Sequence, residues 1–204
     1  MPGKLITFEG IDGSGKSTML SLLKENKDLK KPDDGIVFTR EPTQNTLTGK
    51  AVYAAIENDV DPMAELFLFM ADHAAHISET VRPNLSAGKI VISDRYSDSR
   101  CAYQGATLDK IIPNALDFIK NIHVGWTIVP DLTFLFDLTP EDSVERCKNR
   151  GEKTKFEKIE FLTQVRENFM TIAKTEPGRF VILDAKRPAE ENEKIIVEKI
   201  LSIL

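Results

Sequence analysis

The feature of this 204-residue chain that most constrains its fold is a glycine-rich segment at residues 10–17, which reads GIDGSGKS. It matches the phosphate-binding loop pattern G-x-x-x-x-G-K-[ST] at every fixed position. An apolar run at residues 5–8 precedes the segment, and a stretch that contains Met19, Leu20 and Leu23 follows it. A strand before the loop and a helix after it are the context that such a loop requires. The segment therefore predicts a strand–loop–helix unit that binds nucleotide phosphates.

Each residue type in this loop has a chemical purpose. Glycines let backbone N–H groups turn toward phosphate oxygens, and the following helix offers the positive end of its dipole. The Lys16 ammonium is expected to reach the β- and γ-phosphates, and the Ser17 hydroxyl to ligate Mg²⁺. The predicted nucleotide-binding residues of the loop are Gly10, Ile11, Asp12, Gly13, Ser14, Gly15, Lys16 and Ser17.

Strand and helix patterns alternate along the chain. Nearly continuous apolar runs indicate strands of a parallel sheet that is covered on both faces. Asp61-Pro62 and Thr139-Pro140 indicate helix starts, and apolar residues at three- and four-residue spacing over 108–119 predict one more helix face. We therefore expect one domain over 1–204, with a three-layer α/β fold and a parallel five-stranded sheet flanked by helices. The predicted strands are residues 5–9, 36–39, 89–94, 132–138 and 180–184.

The third predicted strand ends in Asp94, which Arg95 follows. An acid at the carboxyl end of a strand beside a phosphate-binding loop helps to hold the magnesium shell. Ligands of open α/β sheets bind at that edge. Alone this signal is weak, since many strands end in aspartate, but next to the loop it predicts that Asp94 is a metal residue and that Arg95 is a cation at the same edge.

Charge and composition exclude several classes of protein. A net charge of −5 argues against a dedicated nucleic-acid binder. The chain has no apolar run near the roughly 18 residues that span a bilayer. Cys101 and Cys147 are far apart, without a zinc-ligand spacing, and are expected to be free thiols. We expect a soluble, cytoplasmic protein with no nucleic-acid or membrane partner.

Two further patterns refine the class. Asn26-Lys27-Asp28-Leu29, the one near match to a guanine-reading motif, has its acid in the wrong place, which makes a GTP switch a poor fit. Residues 146–158 are dense in charge, and such a run is either a solvated helix face or a short lid that brings cations to phosphates. A phosphate-binding loop in a small chain favours the lid.

Several motifs together resemble the thymidylate kinase family. They are residues 8–18, 39–42 (TREP), 94–96 (DRY) and 102–105 (AYQG), in this order and at suitable spacing. Residues 130–133 and 183–185 also match, so that the resemblance covers nearly the whole chain. It implies a kinase that uses ATP and Mg²⁺, accepts dTMP and works as a homodimer.

The resemblance also implies residue roles. Asp12 would bind the 3′-hydroxyl of the acceptor, Arg95 its phosphate, and Phe69 would stack on the pyrimidine, although without this resemblance a phenylalanine on an apolar helix face favours core packing. Lid cations would complete the site, with Arg150 favoured over Arg146 and Lys155. The other implied residues are Arg40, Glu41, Pro42, Tyr103 and Gln104 around the acceptor, and Thr18, Lys186 and Arg187 around ATP.

Three departures bear on the acceptor. His73 stands four residues after Phe69, where the family usually has a base-reading arginine, and Tyr53 stands in place of a second arginine of the family. Thr154-Lys155 stands where the lid usually has Asp-Arg. We expect His73 to face thymine O4, to read it less firmly than arginine, and to gain strength when protonated near its usual pKa of about 6.5. These departures leave open a kinase for another pyrimidine monophosphate or for a nucleoside, and more distantly a non-catalytic nucleotide-binding module.

Overall fold

The computed structural model describes residues 3–29, 35–149 and 159–204. Their strands are β1 (Lys4–Glu9), β2 (Ile36–Arg40), β3 (Ile90–Asp94), β4 (Leu132–Asp137) and β5 (Phe180–Asp184). A π-helical turn (Ile77–Val81) links the third and fourth helices. The helices are α1 (Lys16–Glu25), α2 (Leu47–Glu57), α3 (Pro62–His76), α4 (Arg82–Ser86), α5 (Ser97–Leu108), α6 (Ala115–His123), α7 (Pro140–Asn149), α8 (Ile159–Thr175) and α9 (Ala189–Ser202).

The five strands form one parallel sheet in the order β2-β3-β1-β4-β5. Thr7 pairs with Ser93 of β3 on one side and with Thr133 of β4 on the other. The predicted strands agree with these bounds to within one residue, and the predicted five-stranded parallel sheet is confirmed. The sheet order places the carboxyl ends of β1 and β3 side by side, so that the loops after both strands lie at one edge.

Helices cover both faces of the sheet. Because side chains alternate along a strand, Ile6 and Phe8 point to one face, where they pack with residues of α1, α8 and α9. Leu5 points to the other face and packs with the π-helical turn and with Tyr96. The expected three-layer arrangement is therefore confirmed. None of the described helices is long and apolar enough to cross a membrane.

The helix face predicted over 108–119 is the one element that differs. Helix α5 ends at Leu108, and α6 begins only at Ala115 after a turn. Pro113 lacks an N–H and disfavours a helical residue before it, and Asn114 takes the left-handed conformation with φ 54°. The apolar spacing continues across the break because Leu108, Ala115 and Ile119 pack in the same cluster.

Candidate active site

The phosphate-binding loop leaves β1 at Gly10 and enters α1 at Gly15. Gly10, Gly13 and Gly15 have φ of 136°, 74° and 94°, a region that favours glycine. A side chain at Gly10 would also collide with the sheet, since its Cβ would lie 2.5 Å from the carbonyl oxygen of Phe136. Both constraints explain why the loop needs glycine at this position.

Lys16 lies folded back on the loop. Its Nζ donates to the carbonyl oxygens of Gly10 at 3.0 Å and Ile11 at 2.9 Å, and to Ser14 Oγ at 3.1 Å. The residue is only 6% exposed. Burial, and next the charge of Arg95, lower the pKa of Lys16 to about 8. An anionic phosphate beside Nζ would favour the charged form, so nucleotide binding and lysine protonation support each other.

Ser17 and Asp94 meet at the carboxyl edge of the sheet. Ser17 is in the first turn of α1, and Asp94 ends the neighbouring β3. The Ser17 hydroxyl donates to Asp94 Oδ2 at 3.3 Å. A hydroxyl and a carboxylate are the hard oxygen donors that Mg²⁺ takes together with phosphate oxygens. The two residues predicted to hold Mg²⁺ therefore fit that ion in their chemistry and their proximity.

Arg95 is held against the loop by its backbone and its side chain. Its N–H donates to Phe8 O at 3.0 Å, and its φ of 66° turns the side chain from the end of β3 toward the loop. Nη1 donates to Gly10 O at 2.9 Å and to Ser99 Oγ at 3.0 Å, and Nη2 donates to Asp12 Oδ1 at 2.6 Å. The guanidinium thus lies where an acceptor phosphate would face the donor.

Asp12 joins Arg95 and Tyr103 at the mouth of the loop. The Tyr103 hydroxyl accepts from the Asp12 N–H at 3.1 Å, and the guanidinium of Arg95 lies 5.0 Å from the centre of the tyrosine ring. Burial alone would raise the pKa of the Asp12 carboxyl, but Arg95 and Lys16 outweigh it and lower that pKa. Asp12 is therefore ionised, and it can accept a hydrogen bond from a hydroxyl.

Beside these groups lies a cavity of about 590 Å³. Eight of the nine residues that the sequence predicts around the acceptor line it, and their individual binding roles stay predictions. Phe69 is partly exposed and reaches this cavity from α3, which a core residue would not do. The eight are Asp12, Arg40, Glu41, Pro42, Phe69, Arg95, Tyr103 and Gln104.

His73, the ninth residue, does not line the cavity. It is fully buried, and both ring nitrogens are engaged, Nδ1 with Glu41 Oε1 at 2.8 Å and Nε2 with Thr127 Oγ1 at 3.2 Å. This placement disagrees with the expectation that His73 faces thymine O4. Burial and the charge of Arg100 lower the pKa of His73 to about 4, so that the expected protonation near pH 6.5 does not arise either.

Glu41 is the centre of a buried polar cluster at the wall of the cavity. Its Oε1 accepts from Nδ1 of His73 and, at 2.6 Å, from Nδ1 of His76, and its Oε2 accepts from Arg100 Nη1. Burial alone would raise the pKa of Glu41, but Arg100 and then His73 hold it well below its usual range. Glu41 was expected to shape the acceptor site, and its geometry shows that it holds Arg100 and His73.

Arg100 itself was missed by the sequence reasoning. It lines the cavity on α5 and is only 3% exposed. The signal that would have found it is its spacing of three and four residues before Tyr103 and Gln104, since residues so spaced lie on neighbouring positions of a helix.

The loop after β5 lies close to the phosphate-binding loop. Arg146 on α7 connects the two, because its Nη1 donates to Gly13 O at 3.2 Å and its Nη2 to Ala185 O at 3.1 Å. Lys186, predicted near adenine, pairs with Asp142 at 2.6 Å. Among the predicted lid cations, Arg150 and Lys155 lie outside the described residues, as does the part of the lid at residues 150–158.

Fold and site together define a P-loop kinase of nucleoside monophosphates. A parallel sheet carries the loop, the Ser17–Asp94 pair, whose chemistry suits Mg²⁺, lies at its edge, and a cavity opens beside Arg95. Residues 8–196 match the family model described as thymidylate kinase. The chain belongs to the thymidylate kinase family.

Individual proteins agree with this assignment. A probable thymidylate kinase of Methanosarcina mazei is 59% identical over 204 residues, which cover 100% of this chain and 98% of that protein. One from Halobacterium salinarum is 45% identical over 91% of this chain and 89% of its own length. The crystal structure of thymidylate kinase from Ehrlichia chaffeensis superposes with a TM-score of 0.72 at 31% identity, covering 98% of this chain and 99% of that one.

Proposed function

We propose that this protein transfers the γ-phosphate of ATP to dTMP, which gives dTDP and ADP. The observation that carries the proposal is the contact between Arg95 and the phosphate-binding loop through Asp12 Oδ1 and Gly10 O. This contact supports a role for the guanidinium between the donor phosphates, which the loop would bind, and the cavity, which would take the acceptor. The thymidylate kinase names of the relatives supply the acceptor.

The proposed reaction needs no general base. A phosphate oxygen of dTMP attacks the γ-phosphorus, the new P–O bond forms as the bond to the bridging oxygen of ADP breaks, and the acceptor is already an anion. Lys16 and Arg95 stabilise charge that develops on the transferred group. Asp12 binds the 3′-hydroxyl of the acceptor. Ser17 and Asp94 would hold Mg²⁺, which neutralises charge on the β- and γ-phosphates when bound.

A panel of acceptors tests this function. ADP release is measured with Mg-ATP and dTMP, dUMP, dCMP or thymidine in turn, under one set of conditions. We expect dTMP to give the largest kcat/KM. Transfer to thymidine in preference to dTMP would instead make the protein a nucleoside kinase, and ADP release that no acceptor stimulates would support a nucleotide-binding module.

Replacing the proposed metal residue tests the magnesium site. Asp94→Asn keeps the shape of the side chain and removes its charge, so we expect the Mg²⁺ concentration for half-maximal activity to rise at least about tenfold. Activity is titrated with Mg²⁺ at saturating nucleotides. The control is Asp131→Asn, because Asp131 pairs with Lys4 away from the loop. An unchanged Mg²⁺ titration of Asp94→Asn would remove Asp94 from the metal site.

The lid proposal concerns Arg150, which follows a helix that is anchored on the loop. Ser143 Oγ donates to Asp12 O at 2.7 Å and Arg146 Nη1 donates to Gly13 O at 3.2 Å, so α7, which ends one residue before Arg150, is attached to the phosphate-binding loop. If Arg150 acts only on the closed ternary complex, Arg150→Ala should lower kcat by about ten- to a hundredfold, with little change in ATP binding. Equal losses in kcat and in ATP affinity would make Arg150 an ordinary ATP ligand. The exposed neighbour Lys148→Ala serves as the control.

The family resemblance supports two further parts of the proposal. It implies that two copies form a homodimer and that the enzyme works in the cytoplasm. Phe67 on α3 is 56% exposed and would be available for contact with a second copy. Sedimentation of the purified protein measures the oligomeric state directly.

A further inference from the structure

Arg100 is a buried cation that has no assigned role in the proposed transfer reaction. It is 3% exposed, yet it lines the acceptor cavity. Its Nη2 has no hydrogen-bond partner among the described residues. A buried guanidinium without its full set of acceptors is costly to the fold, so such a group calls for an explanation.

The rest of the guanidinium is held firmly in place. Nη1 donates to Glu41 Oε2, and Nε donates to His123 Nε2 at 3.3 Å. Since His123 accepts at Nε2, its proton is on Nδ1, which donates to Ile119 O at 2.8 Å. Glu41 is fixed in turn by His73 and His76, whose Nδ1 atoms donate to it. The cluster therefore locks two edges of the guanidinium and leaves the third edge unpaired.

Local charge indicates what this edge would bind. The Glu41 carboxylate balances the Arg100 cation, and burial followed by the charge of Arg100 keeps His73 neutral with its pKa near 4. Arg95 at the loop has the acceptor phosphate as its natural partner, whereas Arg100 makes no contact with the loop among its described hydrogen bonds. A neutral group that carries a hydrogen-bond acceptor fits Arg100 better than a second phosphate.

We propose that Arg100 reads the base of the acceptor nucleotide, by donating from its unpaired edge to a carbonyl oxygen of a 4-oxopyrimidine. The inference rests on the proposed function and assigns its base selectivity. A guanidinium has only hydrogen-bond donors. It can therefore bind the O4 acceptor of thymine or uracil but not the 4-amino group of cytosine, which is itself a donor. In this chain α5, through Arg100, supplies the guanidinium that His73 on α3 cannot supply.

The test measures selectivity rather than activity alone. Arg100→Lys keeps a cation beside Glu41 but loses the rigid planar fork. We expect its KM for dTMP to rise about ten- to a hundredfold, which is the range for a hydrogen bond to a charged group. The KM for dCMP should stay unchanged or fall, so that the preference for dTMP over dCMP drops at least about tenfold.

One control variant and two contrary outcomes separate this role from others. Arg179→Lys changes another arginine, whose side chain is 12% exposed and pairs with Asp98 outside the cavity, and it should leave the dTMP-to-dCMP preference unchanged. An equal rise in both KM values for Arg100→Lys would make Arg100 a phosphate ligand and overturn the proposal. Lower thermal stability with an unchanged preference would show a structural role and overturn it too.

A second variant guards against misfolding. Glu41→Gln combined with Arg100→Gln removes both charges together, so no unpaired charge stays buried. Calorimetric binding of dTMP and dCMP without ATP gives the same preference independently of turnover. If the wild-type protein binds dTMP over dCMP, both variants lose that preference, and the wild-type protein transfers no phosphate to either nucleotide, the proposed function fails and the base-reading role stands. If it transfers phosphate and both variants keep the wild-type preference, the base-reading role fails alone.

Discussion

Lys16→Ala should lower kcat at least about a hundredfold, because it removes a charge that stabilises the transition state more than the bound substrates. The side chain already lies on the loop, where Nζ donates to Gly10 O, Ile11 O and Ser14 Oγ. Phosphate oxygens that arrive at the loop would replace these acceptors. Steady-state kcat with saturating Mg-ATP and dTMP measures the loss.

The fold should survive this change. Two of the acceptors that Lys16 would leave keep another donor, since Gly10 O accepts from Arg95 Nη1 and Ile11 O accepts from the Ser14 N–H, so we expect the free energy of unfolding to fall by no more than about 2 kcal/mol. Lys24→Ala is the matched control, since Lys24 is on the same helix about 12 Å further along and lies over the Phe38 ring. A Lys16→Ala protein that keeps more than about a tenth of the wild-type kcat contradicts the role of Lys16.

The sequence predicted those parts of the fold that depend on local pattern. Apolar runs fixed the five strands, because strands buried on both faces carry apolar residues at nearly every position. Asp61 was expected to open a helix, and its carboxylate does accept from the N–H groups of Met63 and Ala64 at the start of α3. The glycines of the loop were predictable because few other residues tolerate their backbone angles.

The sequence did not predict how buried polar groups pair. Glu41, His73 and Arg100 come from a loop and two helices, so only the packing of α3 against α5 brings them together. Position in the motif suggested that His73 faces the base, but a histidine gives no sign in sequence of whether it turns to a cavity or to a carboxylate. The apolar spacing over 108–119 gave a wrong helix prediction for a similar reason. The apolar residues of α5 and α6 pack in one cluster, and together they show the three- and four-residue spacing of a single helix.

Arg95 is the residue at which donor and acceptor chemistry meet, and its replacement gives the second large effect. Arg95→Met removes the guanidinium that contacts Gly10, Asp12 and Ser99. We expect kcat/KM for dTMP to fall about a thousandfold, the effect of losing two charged hydrogen bonds to a phosphate. The dissociation constant of ATP without acceptor should change by no more than about fivefold, since the proposed contacts to ATP come from the loop itself.

The design of this variant separates charge from backbone effects. Residue 95 has φ of 66°, a strained value for any side chain with a Cβ, and methionine keeps the unbranched shape of arginine, so the backbone strain is the same in both proteins. Lys120→Met, a solvated cation on α6, controls for the loss of one charge. Arg95→Lys should recover only part of the lost activity, because an ammonium does not reproduce the two parallel bonds of a guanidinium to a phosphate. If Arg95→Met weakens ATP binding as strongly as it lowers kcat/KM for dTMP, then Arg95 belongs to the donor site, and the acceptor phosphate must be held by another cation of the cavity.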